Sequence, residues 1–508
     1  MLACARTFTI EGLHARPVTV EVDIRPGLPC FSIVGLAGTA VREARERVKA
    51  AILNSHFKFP SQRITVNLAP ADLPKAGPGL DLAIACAVLA ASGQSDAQAL
   101  QGFSLFGELS LDGRLRPCPG ALAIAQASAA AHVANLVLAP ERAAEARLVE
   151  GVNVCPAVSL SSAARIIAGG PPDQACPPAP RRLASSRPHP DLRDVRGQDL
   201  AVQALVVAAA GEHNLLLCGP PGTGKTMLAK RIAPILPPLT REEAIEVTRI
   251  HSVASTLPHS ALLTTRPFRA PHHSITVAGL IGAAKGRLLG EVVLAHRGVL
   301  LLDELSEFQR PVLESLRQPL EDGRVLVVRA ERVGVYPTRF MLVAATNPCP
   351  CGYAGDLERC SCSEADLARH RRRLSGPLLD RIDLLVNLAP QPLLGAPYTT
   401  TAQAAERVRR ARAIQQRRLA AEGVRVNAHM DQAMLRRYAS LSPPAQELLQ
   451  AAQRSGTLSA RALHRVLRVA RTIADLQGSK AVQAEHLAHA LAFRTDGLAG
   501  SRVRSSVA

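Results

Sequence analysis

A glycine-rich segment near the middle of the chain reads Gly219-Pro220-Pro221-Gly222-Thr223-Gly224-Lys225-Thr226. The apolar run Asn214 to Cys218 precedes it, and a helix-compatible stretch from Met227 to Leu236 follows it. The order strand, GxxxxGK[ST], helix is typical of a P-loop, in which backbone N–H groups curl around phosphates and the helix N-terminus adds positive potential. We therefore predict that the segment binds ATP, with Lys225 at the β- and γ-phosphates and the Thr226 hydroxyl on Mg²⁺.

Two later apolar runs also end in polar residues. Gly298 to Leu302 leads into Asp303 and Glu304, and Phe340 to Ala345 leads to Asn347. Buried parallel strands open onto a site at their carboxyl ends. We expect Asp303 to hold the Mg²⁺ shell and Glu304 to polarise the attacking water. Asn347 is either a sensor of the γ-phosphate that orients water or a structural turn residue.

Arg381 lies in a polar turn between apolar segments. A guanidinium in such a turn can act as an arginine finger on the γ-phosphate of a neighbouring subunit. The alternative is a surface salt bridge with Asp380 or Asp383.

The composition divides the chain into four segments, as expected for a length of 508 residues, which exceeds what one hydrophobic core usually organises. Residues 1–168 combine period-two alternation, as in Val18 to Ile24, with helical spacing, which predicts a mixed α/β domain. Residues 169–190 are rich in Pro, Ser and Arg and predict an extended linker. Residues 191–392 form a second α/β domain around the P-loop, and residues 393–508 have the periodicity of a helical bundle.

The charge balance is strongly basic. Sixty Lys and Arg residues against 42 Asp and Glu residues give a formal charge of +18 and a pI near 10.1. Such a chain attracts polyanions, and nucleic acid is the first candidate, although a general preference for Arg explains the same numbers. We find neither a signal peptide nor an apolar run long enough for a membrane span, so we expect a soluble, cytoplasmic protein.

Four of the 11 cysteines cluster within a turn-rich segment, as Cys349-x-Cys351 and Cys360-x-Cys362. Four thiolates in two close pairs suit tetrahedral Zn²⁺ in a closed, structural site. Reduced structural thiols and a redox pair are the alternatives. A zinc site here would stabilise the loop that follows Asn347 and would not be catalytic.

The motifs that carry a family resemblance lie in the stretches Gly27 to Leu36, His213 to Thr226, Arg266 to His273, Asn347 to Tyr353 and Ser375 to Asp383. Together they resemble the magnesium-chelatase-like AAA+ ATPases of the YifB/ComM type, which bacteria use in DNA processing during natural transformation. The resemblance covers nearly the whole chain. It implies an α/β AAA+ core, a hexameric ring with ATP sites between subunits, and, for ComM members, a helicase that migrates branched DNA.

The resemblance also assigns roles to residues outside the P-loop. It implies that Asn347 is sensor 1 and that Arg381 is the finger acting in trans. It places the sensor 2 arginine at Arg461, although Arg465 and Arg468 lie on adjacent helical turns and are easily confused with it.

A predicted hairpin from Arg324 to Arg339 carries the candidate DNA contacts. In ring helicases of related architecture a hairpin ahead of sensor 1 projects into the pore, so we expect Arg329 and Arg332 to follow the phosphate backbone without reading sequence. The alternative is a solvated charged face. His272 and His273 either line the same insert or have a structural role. The segment Ala283 to Glu291 departs from the family pattern.

The amino-terminal domain resembles the ChlI domain, which shares the fold of the Lon proteolytic domain and of ribosomal protein S5. Gly79 lies where Lon has its nucleophilic Ser, and no lysine occurs from Gly107 to Glu150. A Ser–Lys pair therefore cannot form, and we predict no protease activity.

These patterns favour an ATP-driven DNA motor, a hexameric helicase that promotes branch migration and integration of DNA in transformation and recombination. The main alternative is a magnesium-chelatase-like ATPase that remodels a protein or metal-insertion partner. A Lon-like protease and an ATP-dependent switch without motor activity are the remaining alternatives.

Overall fold

The computed structural model describes residues 1–35, 39–75, 77–174, 190–257, 262–284, 287–329, 332–354, 356, 358–373, 376–390, 398–454 and 459–495. The chain folds into two compact units, residues 1–185 with 240–264, and residues 186–239 with 265–508. Most of the predicted linker, residues 175–189, lies outside the described residues. None of the helices in the described part of the chain combines the length and apolarity that a membrane crossing requires.

The strands are, in chain order, β1 (Leu2–Glu11), β2 (His14–Arg25), β3 (Cys30–Val34), β4 (Arg63–Ala69), β5 (Phe103–Leu105), β6 (Glu108–Leu109), β7 (Leu115–Arg116), β8 (Asn135–Leu138), β9 (Asn153–Pro156), β10 (Leu215–Cys218), β11 (Phe268–Arg269), β12 (Gly282–Ala284), β13 (Arg287–Leu289), β14 (Val299–Leu302), β15 (Arg324–Arg329), β16 (Arg332–Pro337), β17 (Met341–Thr346) and β18 (Leu384–Asn387).

The helices are α1 (Thr39–Asn54), α2 (Asp81–Ala91), α3 (Ala121–Ala130), α4 (Pro140–Ala146), α5 (Leu160–Ile167), α6 (Asp199–Gly211), α7 (Lys225–Lys230), α8 (Arg241–Val253), α9 (Val277–Ile281), α10 (Glu291–Leu294), α11 (Arg310–Ser315), α12 (Arg317–Asp322), α13 (Glu364–Arg373), α14 (Gly376–Leu379), α15 (Thr401–Leu419), α16 (Gln432–Tyr438), α17 (Pro443–Arg454), α18 (Ala460–Leu476) and α19 (Ala484–Thr495).

The amino-terminal unit is built on a seven-stranded sheet in the order β3-β4-β2-β1-β5-β8-β9. The alternation in β2 is confirmed, because Val18, Val20, Val22 and Ile24 are all buried. Every residue of α2 is buried, as expected for a helix without a polar face. The sheet and α2 therefore share one core.

Gly79 lies two residues before the first residue of α2, at the position where the resemblance puts the nucleophile of Lon. A Cβ atom built on Gly79 would lie 2.4 Å from Cε2 of Phe106. The ring of Phe106 thus fills the space that a serine side chain would need. The absence of protease activity stays a prediction.

Helix α8 belongs to the amino-terminal unit although its sequence follows the P-loop. The Ser252 hydroxyl donates to a carboxylate oxygen of Glu145 and accepts the N–H of Gly120 at 3.0 Å. The same carboxylate accepts the N–H of Leu122 at 2.8 Å and pairs with Arg142 at 3.3 Å. Glu145, on α4, therefore joins α8 to α3. The sequence patterns do not indicate this excursion of residues 240–264.

The second unit contains a five-stranded sheet in the order β11-β14-β17-β10-β18, in which all neighbouring strands are parallel. Every residue of β10, β14 and β17 is buried, as expected for central strands covered on both faces. Residues of α15, α18 and α19 pack into the same core as the sheet and α6. The predicted fold class, an α/β AAA+ core with a helical carboxyl-terminal region, is confirmed.

We predict that Glu145→Ala destabilises the amino-terminal unit by about 2–4 kcal/mol, because it leaves the buried Leu122 N–H and the Ser252 hydroxyl without their acceptor. Urea unfolding gives the free energy, and hydrogen exchange of residues 241–253 should accelerate. The control is Glu141→Ala on the exposed side of the same helix, for which we expect a change within about 0.5 kcal/mol. Equal exchange in the two variants contradicts the placement of α8.

Candidate ATP site and cysteine cluster

The predicted P-loop follows β10 at the carboxyl edge of the parallel sheet. Gly222 and Gly224 adopt φ of 81° and 84°, a left-handed conformation that glycine adopts at little cost. A Cβ at Gly219 would lie 2.6 Å from the carbonyl oxygen of Leu388. These three glycines are required by the path of the backbone. Helix α7 ends at Lys230, earlier than predicted, because Pro234 in the following turn supplies no N–H for a continuing helix.

Lys225 is folded back over the loop. Its Nζ donates to the carbonyl oxygens of Gly219 at 2.7 Å and Pro220 at 2.8 Å. Partial burial lowers the pKa of Lys225, while Cys218 and Asp303 act in the opposite direction. The ammonium is thus held at the concave side of the loop, where phosphate oxygens can replace the two carbonyls as its partners.

Thr226 and Asp303 meet although they are far apart in sequence. The Thr226 hydroxyl donates to Oδ2 of Asp303 at 2.7 Å. A hydroxyl and a carboxylate oxygen are the hard ligands that Mg²⁺ prefers, together with phosphate oxygens and water. The two side chains therefore fit the predicted role of holding Mg²⁺ beside the P-loop.

Glu304 adopts an unusual backbone conformation at the end of β14. Its φ of 53° is left-handed, which costs a non-glycine residue roughly 1–2 kcal/mol and is often found at functional sites. The Asp303 carboxylate accepts the Glu304 N–H at 3.1 Å, and the Glu304 side chain is 62% exposed. This geometry presents the carboxylate to water, as a general base requires.

His273 lies beside Glu304. Its Nδ1 is 3.6 Å from Oε2 of Glu304, and its ring packs on His272 with centroids 4.0 Å apart. From the sequence, His272 and His273 either line the same insert as the hairpin or have a structural role. The structure places His273 next to the predicted catalytic carboxylate, a contact that no local sequence pattern indicates.

Asn347 follows β17 at the same edge of the sheet. Cys218 pairs with Thr346 in the parallel register, so the P-loop and Asn347 begin side by side. The Asn347 carbonyl accepts from Nε2 of His370 at 2.9 Å. Asn347 is thereby supported by α13, and its role as a sensor stays a prediction.

Arg381 is engaged within its own chain. The salt bridge considered from the sequence had Asp380 or Asp383 as partner; the structure instead pairs Arg381 with Glu321 on α12. Asp383 is buried and contacts His213 and Arg465, each at 3.7 Å. A contact with Glu321, which is 60 residues earlier in the sequence, was not among the partners that adjacency suggested.

The three arginines of α18 that could serve as sensor 2, Arg461, Arg465 and Arg468, have different environments, and the fourth arginine of this helix, Arg471, pairs with Asp475 at 2.8 Å. Arg461 is exposed on the first turn and takes part in none of the ion pairs among the described residues. Arg465 pairs with Asp383, and burial lowers the pKa of both Arg465 and Arg468. Arg461 is thus more exposed to a ligand than Arg465 or Arg468, and its role as sensor 2 stays a prediction.

The four clustered cysteines converge as predicted. The Sγ atoms of Cys349, Cys351, Cys360 and Cys362 all lie within 4.8 Å of one another. Hydrogen bonding from the Tyr353 N–H, followed by Cys349, lowers the pKa of Cys351 to about 6, which favours a thiolate at neutral pH. The donor set fits a soft metal ion in tetrahedral coordination, and zinc stays a prediction.

The cysteine loop also contacts the P-loop. Gly352 has a φ of 90°, and a Cβ built there would lie 2.5 Å from Cδ of Pro221. The cluster therefore lies between the P-loop and α13, whose His370 supports Asn347. A metal ion in the cluster would stiffen two segments of the nucleotide site.

The basic segments divide into structural and exposed ones. On α15, Arg412 pairs with Glu212 at 2.6 Å, and Arg418 pairs with Asp475 at 2.6 Å. In the β15–β16 hairpin, Arg329 and Arg332 form the terminal cross-strand pair. Their side chains lie outside the described residues. Arg412 and Arg418 thus stabilise the fold, whereas contact of the hairpin arginines with DNA stays a prediction.

Family models match three parts of the chain. The model for "Magnesium chelatase, subunit ChlI" matches residues 191–393. That for "Subunit ChlI of Mg-chelatase" matches residues 20–142, and that for "Magnesium chelatase, subunit ChlI C-terminal" matches residues 398–494.

Similar proteins match nearly the whole chain. The competence protein ComM of Haemophilus influenzae is 43% identical over 495 residues, which cover 95% of each chain. The uncharacterized protein YifB of Salmonella typhimurium is 40% identical over 495 residues, or 97% of each chain. This chain belongs to the YifB/ComM family of magnesium-chelatase-like AAA+ proteins. An uncharacterized Mycobacterium tuberculosis relative is 42% identical over 507 residues, covering 98% of this chain and 99% of its own.

Membership in the YifB/ComM family indicates an ATPase and agrees with the geometry of the P-loop. The family models describe domains and do not assign roles to the residues above. The roles of Glu304, Asn347, Arg381 and Arg461 therefore stay predictions that rest on position and contacts.

We predict that the chain binds about one Zn²⁺ through the cysteine cluster. Protein purified without chelators should contain about one equivalent by mass spectrometry of metals, and Cys351→Ser or Cys360→Ser should lower this several-fold. The control is Cys30→Ser, because Cys30 is exposed in the other unit. A wild-type content near zero after growth with added zinc rules out a zinc site.

Proposed function

We propose that the chain is an ATP-driven DNA motor that acts as a hexameric ring and promotes branch migration during recombination. The observation that carries the ATPase part is the meeting of Thr226 and Asp303 beside the P-loop, with Glu304 next in sequence and exposed. This arrangement supplies the groups needed for phosphoryl transfer to water.

In the proposed cycle the chain binds MgATP and activates water. The backbone of the P-loop and Lys225 would hold the phosphates, and Thr226 and Asp303 would hold Mg²⁺, which when bound would supply positive charge beside the phosphate oxygens. Glu304 accepts a proton from the attacking water. Asn347 orients that water, and Arg381 of a neighbouring subunit stabilises the transition state.

Three observations support DNA as the polymer. The formal charge of +18 favours a polyanion. The β15–β16 hairpin ends in the arginine pair Arg329 and Arg332 and contains few aromatic residues, which suits contact with the phosphate backbone rather than base stacking. A full-length relative carries the name competence protein ComM.

The second candidate function is remodelling of a protein or metal-insertion partner. The family models that match this chain bear the description of a magnesium chelatase subunit, which favours it. It predicts ATP hydrolysis that responds to a protein partner and not to DNA.

We predict that Glu304→Gln lowers the ATPase rate at least about 100-fold, because the amide cannot accept the proton of the attacking water. Binding of a fluorescent ATP analogue should persist, since Lys225 and Asp303 are unchanged. The control is Glu307→Gln, an exposed carboxylate three residues on. A Glu304→Gln enzyme that keeps most of its rate excludes Glu304 as the base.

Forked and single-stranded DNA should each stimulate ATPase activity of the wild type several-fold, and strand displacement should require hydrolysis. The double variant Arg329→Ala/Arg332→Ala should lose most of this stimulation. The salt dependence of its DNA binding should fall by roughly 0.7 in slope for each single-strand phosphate that the hairpin no longer neutralises.

The matched control for the hairpin is Arg409→Ala/Arg410→Ala, which removes the same charge from α15, where both side chains pair with Glu406. Stimulation should be unchanged in this control. If no DNA substrate alters the wild-type rate, the polymer assignment fails and the remodelling function takes its place.

A further inference from the structure

Asn214, the residue before β10, uses both ends of its side-chain amide. Its Nδ2 donates to the carbonyl oxygen of Arg381 at 2.9 Å, and its Oδ1 accepts the N–H of Leu342 at 2.9 Å. A carbonyl partner requires the amide nitrogen and an N–H partner requires the oxygen, so the orientation of the amide follows from its contacts.

The main chain of Asn214 binds the same neighbouring segment. Its N–H donates to Oδ2 of Asp383 at 3.0 Å, and its carbonyl oxygen accepts the N–H groups of Asp383 and Leu384, each at 3.0 Å. All but one of these hydrogen bonds therefore connect Asn214 to the stretch from Arg381 to Leu384. The remaining one reaches the start of β17.

These contacts determine where the backbone of Arg381 lies. The side chain of Asn214 ties it to β10, which leads into the P-loop, and to β17, which leads to Asn347. A long arginine side chain amplifies small displacements of its own backbone, and catalytic groups need placement within about 0.5 Å. A hydrogen bond to the Arg381 carbonyl oxygen holds the backbone from which this side chain extends, and it does not involve the guanidinium group.

We propose that Asn214 is a positioning residue for Arg381: its amide holds the backbone of the finger in register with the strands that carry the P-loop and Asn347. This inference rests on the proposed action of Arg381 on the ATP site of a neighbouring subunit. It predicts that a substitution of Asn214 impairs hydrolysis at the ATP site of the neighbouring subunit, while the ATP site of the substituted subunit stays competent.

The variant Asn214→Asp tests this with little change of shape. A carboxylate still accepts the Leu342 N–H but cannot donate to the Arg381 carbonyl, which it repels. Asn214→Ser, run in parallel, shortens the side chain without adding charge. Each homogeneous ring should lose about 10- to 100-fold in kcat, since a misplacement of 1 Å can cost about 100-fold. Affinity for an ATP analogue should change less than about three-fold, because the P-loop is intact.

Rings that contain two kinds of subunit distinguish two roles of Asn214: positioning the Arg381 finger for the neighbouring ATP site, and supporting the ATP site of its own subunit. Lys225→Ala subunits have a defective ATP site and an intact finger. Mixed with Arg381→Ala subunits, they should restore hydrolysis, because each supplies what the other lacks. Mixed with Asn214→Asp or Asn214→Ser subunits, they should restore it to a similar extent, measured as ATPase rate against mixing ratio.

Recovery with both partners supports the inference and also shows that the Asn214 variants fold and bind ATP. Recovery with Arg381→Ala but with neither Asn214 variant overturns it, since Asn214 then serves its own site. Full activity of the homogeneous Asn214 variants overturns it as well. No recovery even with Arg381→Ala refutes the proposed action of the finger in trans, and the inference with it.

Discussion

The parallel register of β10 between β17 and β18 is the constraint on which the nucleotide site depends. Cys218 pairs with Thr346 on one side and with Asn387 on the other, so the P-loop emerges level with the end of β17. Asp303 directly follows the next strand, β14, at the same edge. Residues separated by long stretches of sequence therefore face one volume, and the Thr226–Asp303 hydrogen bond is a consequence of strand register rather than of local sequence.

Supports behind this edge come from three directions. The cysteine loop contacts the P-loop through Gly352 and Pro221, α13 holds the carbonyl of Asn347 through His370, and Asn214 holds the carbonyl of Arg381. The supports at Asn347 and Arg381 act on main-chain carbonyl oxygens rather than on the functional side chains. This division suits a site whose reacting groups must exchange partners during every cycle while their backbones stay in place.

Local patterns predicted the parts of the site that one segment encodes by itself. The P-loop, the carboxylates after β14 and the cysteine pairs each have a spacing that reflects their chemistry. Contacts between segments were not predictable in this way. Arg381 pairs with Glu321, His273 lies beside Glu304, and α8 folds with the amino-terminal unit, because tertiary packing decides these neighbours and leaves no periodic trace in one sequence.

The ion pairs of the structure show which part of the basic charge is neutralised within the protein. Arg412 and Arg418 are paired with Glu212 and Asp475, and each such pair removes one positive and one negative charge together. The formal excess of +18 is therefore undiminished by them and must reside on side chains outside these pairs. When such positive side chains contact phosphates, they release the counterions that surround the polyanion. Binding of a polyanion should therefore weaken steeply as the salt concentration rises. The position of a run of arginines in the sequence does not locate that excess, since the arginine-rich α15 uses part of its charge to stabilise the fold.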